Sequence, residues 1–119
     1  MSLAAKILIA LIALEHLYFL VLEMFLWTTP RTRAAFGMSA EQAEQTKALA
    51  GNQGLYNGFL AAGLIWSLLA PAAYAVDLAL FFLGCMLVAG LYGGATAHWR
   101  IWLVQGLPAA IALIVLFLT

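Results

Sequence analysis

The sequence predicts an all-α membrane protein, an antiparallel up-and-down four-transmembrane-helix bundle with one longer cytoplasmic loop. Three observations carry this expectation. The 119-residue chain is 66% hydrophobic and 8% charged, whereas water-soluble domains hold about 25% charged residues. Its apolar residues fall into four runs close to the roughly 20 residues that a helix needs to cross the hydrocarbon core. All but one of the links between runs are short, and short links leave successive helices antiparallel.

The first run, Leu3 to Trp27, carries Glu15, His16 and Glu23. A cleaved signal peptide has a shorter, uninterrupted apolar core, so this run is read as a retained span. Thr28-Thr29-Pro30 stops it, because a proline disfavours helical geometry in the residue before it. The long connection runs from Thr28 to Gly51 and holds five of the ten charged side chains, Arg31, Arg33, Glu41, Glu44 and Lys47. Within it, Ser39 followed by Gln42 matches a capping box. Either a helix starts there, lying at the interface or running directly into the second span, or the segment is a solvated surface turn. The second run is Asn52 to Leu69 and the third Val76 to Ala97, with Ala70-Pro71 breaking the chain between them. The fourth, Ile101 to Leu118, follows a short link around His98 and Arg100. Together the runs make one integral membrane domain over residues 1–119.

Orientation follows from the cations. The face with the long loop and the third-to-fourth link bears Arg31, Arg33, Lys47 and Arg100, and the opposite face bears Lys6. The positive-inside rule then puts the long loop in the cytoplasm and both termini outside, in a multi-pass protein of the inner (cytoplasmic) membrane. Trp27, Trp99 and Trp102 mark one boundary, and Trp66 and Tyr74 the other. Net charge is zero and no basic patch forms, which excludes nucleic acid as a partner. Cys85, the single cysteine, lies in an apolar run as a small hydrophobe and cannot form an internal disulfide.

Charged side chains inside a span cost about 2.5–3.5 kcal/mol each on insertion scales, so Glu15, His16 and Glu23 need a reason. His16 and Glu23 lie about 20° apart around a helix, and Glu15 about 80° from Glu23, which puts all three on one flank facing the bundle interior. In the second span Gln53 and Asn57 share a face, beside Tyr56. The third span ends with Tyr92, and Gln105 lies one turn into the fourth. Glu23, Tyr56, Tyr92 and Gln105 should share a depth roughly 6 Å below the loop-face boundary. The expected site is therefore a polar pocket in the cytoplasmic half, formed by Glu23, His16, Gln53, Tyr56, Asn57, Tyr92 and Gln105, with Glu23 as its charge anchor. The competing reading is that these groups only join helices by hydrogen bonds.

Gly54 and Gly58, and likewise Gly90 and Gly94, have the Gly-x-x-x-Gly spacing that lets helices approach closely. It predicts packing of the second helix on the third, or a homo-oligomer through the Gly54/Gly58 and Gly90/Gly94 faces. Pro108 leaves the carbonyl of Val104 without its usual donor and predicts a kink beside Gln105.

Three activities suit such a pocket. A proton-coupled transporter would exchange a proton at Glu15 or Glu23 for substrate, a membrane enzyme would use Glu23 and His16 as acid and base, and a structural or interaction subunit would need the polar groups for packing alone. No metal or other cofactor is expected. His16, Glu23, Glu15 and His98 lie at different depths, and His16 and His98 are too far apart in depth to share a haem.

The stretch Glu15 to Trp27, together with Asn52 to Gly63, resembles the small bacterial four-helix membrane proteins grouped as domain of unknown function 1304. That resemblance covers nearly the whole chain and implies a membrane bundle, with no activity attached. The plan is also similar to that of the small multidrug resistance transporters, with four short spans and an acidic residue in the first, matching Glu15. The flanking residues depart from that pattern, and the charge bias opposes insertion in both orientations.

Overall fold

The computed structural model describes residues 1–119, and the fold is all-helical, with five α-helices, one π-helical turn and no strand. Helix α1 runs Leu3–Met24 and is capped by Ser2, whose hydroxyl accepts from the Ala5 amide at 3.1 Å. It buries Ala5, Ile9, Ile12, His16 and Glu23, a spacing of threes, fours and their sum that keeps one stripe facing inward. The helix stops short of Trp27. Beyond Met24 the chain turns, with the Leu26 amide reaching back to the Val21 carbonyl at 3.2 Å.

Where the sequence suggested a loop, a short helix α2 occupies Pro30–Phe36. Pro30 opens it, in the first-turn position where a missing N–H is harmless. Gly37 closes it at φ 65°, a left-handed conformation that favours glycine. The Met38 amide bonds the Arg33 carbonyl at 2.9 Å and the Gly37 amide bonds Ala34 at 3.4 Å, a Schellman closure.

Helix α3, Ala40–Leu69, is 30 residues long, or about 45 Å. The capping box forms as the sequence suggested, with the Gln42 amide donating to the Ser39 hydroxyl at 3.0 Å and the Ser39 amide to Gln42 Oε1 at 2.9 Å. Of the readings left open, the one realised is a helix that continues without a break into the Asn52 to Leu69 run. Pro71 then starts α4, Ala72–Thr96.

A π-helical turn, Trp102–Gly106, leads into α5, Leu107–Leu118. Its widened geometry has the Leu107 amide bonding the Trp102 carbonyl. The irregularity expected at Pro108 thus takes the form of a π turn just before the proline, which has no N–H to offer Val104.

Two of these helices, α1 and α4, are long and apolar enough to cross a membrane. The apolar stretch Trp102–Leu118 is shorter. In α3 the amides Asn52, Gln53 and Asn57 dilute the apolar run.

The chain divides into two compact units, Met1–Ala13 with Ala62–Thr119, and Leu14–Ala61. In the first, α4 lies antiparallel to the π turn and α5. A Cβ on Gly90 would stand 2.6 Å from the Gly106 backbone, and one on Gly94 would overlap the Trp102 ring. The Trp102 indole donates to the Leu91 carbonyl at 3.0 Å. Hydroxyls of Ser2 and Thr119 meet at 2.7 Å, joining the two ends of the chain. In the second unit, Gly54 lies against Met24 and Gly58 against Leu20, so α1 and α3 are antiparallel.

Both glycine pairs are therefore filled from within the chain. Gly54 and Gly58 receive α1, and Gly90 and Gly94 receive the π turn, which corrects the expectation that the second helix packs on the third through these glycines. A second copy docking on either glycine pair would meet the chain's own side chains and backbone there.

Candidate functional site

The site lies in the Leu14–Ala61 unit, where the last turn of α1 meets the middle of α3. Absent side chains on α3 bring the two backbones together. A Cβ on Gly54 would stand 2.7 Å from Met24 Cγ, 3.0 Å from Glu23 Cβ and 3.2 Å from the Leu20 carbonyl oxygen. At that separation Asn57, one turn beyond Gly54, reaches the Glu23 carboxylate, and its Nδ2 donates to Oε1 at 2.5 Å. Both side chains are buried, Glu23 with 7% of its surface exposed. A hydrogen bond to a charged partner is worth about 1.5–3 kcal/mol, more than one between neutral groups.

Further along α1, Glu15 Oε1 lies 3.9 Å from His16 Nδ1. The His16 side chain is fully buried, with its ring edge-on to Phe19 at 5.4 Å. Glu15 Oε1 is itself buried and has no hydrogen-bond partner. One helix thus carries a carboxylate tied by an amide near its end and an acid beside a histidine about 11 Å away along the axis. Nowhere do three or more His, Cys, Asp or Glu side chains come together in an arrangement able to hold a metal ion.

The predicted site residues separate by environment. Glu23 and Asn57 meet, and His16 shares their buried character. Gln53 is exposed, and Tyr56 is 60% exposed, its ring set against Phe59 at 5.7 Å. In the other unit, Gly90 opposite Gly106 and Gly94 opposite Trp102 put Tyr92 and Gln105 at nearly one level. Tyr92 is 71% exposed there and Gln105 is half-buried.

Sequence reasoning treated Trp27 as a boundary marker and gave Thr46 no role. The Trp27 indole donates to Thr46 Oγ1 at 3.0 Å, and its ring packs on Phe36 at 5.0 Å. These contacts fasten α2 and the start of α3 beyond Glu23. A proline opening a seven-residue stretch and a glycine just after it were the available signal for α2. The Trp27 to Thr46 bond links residues 19 positions apart and has no local signature.

No solved structure matches the chain. It is 37% identical over 116 residues to the uncharacterized protein YpaA of Lactococcus lactis subsp. lactis (strain IL1403), covering 96% of this chain and 97% of the relative. The family model described as protein of unknown function (DUF1304) matches residues 10–117, a span that takes in the whole Glu15 to Gly63 region that builds the site. The chain belongs to the DUF1304 family.

Proposed function

We propose that this protein crosses the cytoplasmic membrane four times, with both termini outside, and binds a small molecule or lipid head group bearing a cationic group at Glu23. One observation carries the reading. The Glu23 carboxylate is buried on a helix apolar enough to cross a bilayer, and a neutral amide, Asn57, holds it. A carboxylate at membrane depth costs about 2.5–3.5 kcal/mol, and amides or hydroxyls join membrane helices without that cost. An acid at that position is better suited to meeting a cation or exchanging a proton than to packing.

The four crossings have their own support. An even number of crossings accords with the contact between the Ser2 and Thr119 hydroxyls, which keeps those two residues on one side of a layer. Large apolar side chains along α1, Leu11, Leu14 and Tyr18 among them, are exposed and suit contact with lipid. Glu15 and His16 extend the ionisable track along α1, and the function assigned is exchange of a proton for the cationic ligand. A chain of this size encloses little space, so transport is assigned to an oligomer formed on faces other than the four glycines.

The test uses ethanolamine, which carries the ammonium group common to small amines and a phospholipid head group. Liposomes holding the protein, with an acidic interior, are expected to take up labelled ethanolamine faster than protein-free liposomes, and Glu23→Gln should abolish the difference. Phosphatidylethanolamine in place of soluble ethanolamine distinguishes a lipid substrate. Uptake that survives Glu23→Gln, or wild-type uptake of both probes no faster than leakage, refutes the reading.

A further inference from the structure

Immediately after α1 the chain places apolar and cationic side chains together on a small, tightly closed element. Phe25, Leu26 and Phe36 are exposed, as is Arg31. Arg33 is half-buried, and its Nε donates to the Thr28 carbonyl at 3.2 Å, which fixes the base of the guanidinium and leaves its outer nitrogens for another acceptor. No acidic residue occurs from Phe25 through Ala40, and Glu41 and Glu44 begin only on α3. The backbone of α2 is closed by the Gly37 turn, and buried Thr32 accepts from the Thr29 hydroxyl at 3.0 Å. The Trp27 to Thr46 bond and the Trp27 to Phe36 ring contact anchor the element. Closed backbone, exposed aromatic and aliphatic side chains and two arginines with no acidic residue near them in the sequence suit the boundary between acyl chains and head groups.

We propose that Phe25 to Phe36 is a docking surface for anionic phospholipid, with Arg31 and Arg33, on different sides of α2, each attracting head-group phosphates, and Phe25, Leu26 and Phe36 lying against the upper acyl chains. This rests on the membrane reading and is independent of the polar site at Glu23. A cation beside an anionic membrane surface is worth up to about a five-fold preference, reduced by salt.

The experiment reconstitutes the full chain in phosphatidylcholine vesicles with spin-labelled phosphatidylglycerol or spin-labelled phosphatidylcholine, and measures the fraction of each label immobilised on the protein. Wild type should favour phosphatidylglycerol several-fold at low salt. Arg31→Gln, which changes an exposed side chain, should remove part of that preference, and Arg31→Gln with Arg33→Gln nearly all of it. Arg100→Gln should leave it unchanged. Soluble glycerol phosphate at millimolar concentration should not displace the labelled lipid. Equal preference in wild type and the double variant, loss of preference in Arg100→Gln alone, or displacement by glycerol phosphate overturns the proposal, the last by making the arginines a free-phosphate site. Carbonate extraction of the same vesicles separates the two levels, because a chain that washes off refutes the membrane reading itself.

Discussion

Replacing Gly90 with alanine probes a backbone-to-backbone approach in the Met1–Ala13 and Ala62–Thr119 unit. The added methyl would lie 2.6 Å from both Cα and N of Gly106, where ordinary contact begins at 3.4 Å. The obstructing atoms are backbone, so no side chain can swing aside, and α4 and the π turn must separate by about 0.8 Å. Forced overpacking of this kind costs about 1–3 kcal/mol, against a gain of about 0.5–1 kcal/mol from replacing a helical glycine. The net expectation is a loss of about 0–2.5 kcal/mol relative to wild type. Gly84 is the internal control, since a Cβ there meets nothing within 4 Å, and Gly84→Ala should be neutral or slightly stabilising. Thermal unfolding in one detergent, followed by tryptophan fluorescence, ranks the two variants against wild type. Gly90→Ala melting at or above the temperature of Gly84→Ala would refute the claim that α4 and the π turn meet backbone to backbone.

The Glu23 to Asn57 bond should appear in a double-mutant cycle. Asn57→Leu alone is expected to destabilise by about 1.5–3 kcal/mol by stranding a buried carboxylate, and Asn57→Leu in a Glu23→Leu background should cost much less, so strictly additive losses in chemical unfolding would show no coupling. Ser39→Ala removes half of the capping box and should cost about 0.5–2 kcal/mol, read as faster hydrogen exchange at the Gln42 amide while amides at the end of α3 are unchanged. Gly37→Ala forces a side chain into the left-handed conformation at a cost of about 1–2 kcal/mol, and exchange at the Met38 amide should accelerate with it.

Composition and periodicity determined the helical class and the break at Pro71, and the Ser39 to Gln42 pattern pointed to one of two readings of the segment before α3, because each depends on a few neighbouring residues. A capping box is a local device, and Ser39 and Gln42 complete it without help from the rest of the chain. The Glu15 to Trp27 and Asn52 to Gly63 stretches were also enough to place the chain in its family, since shared sequence is what defines one. The end of α1 at Met24 was less legible. An apolar residue such as Phe25 or Leu26 raises hydropathy equally well inside a helix or in the turn after it, and what stops α1 is a set of hydrogen bonds reaching back from Leu26 and Thr29.

Tertiary structure alone decided which partner each special residue receives. The spacing of Gly54 and Gly58 announced a close approach and was silent on what approaches, and the answer is α1. Glu23 stood out in the sequence because lipid is a poor solvent for a carboxylate. That Asn57 meets it, while Tyr56 beside Asn57 turns outward, follows from how two antiparallel helices rotate against each other once a missing Cβ lets them close. Such pairings join residues 34 positions apart in the Glu23 and Asn57 case, and only packing in three dimensions selects them.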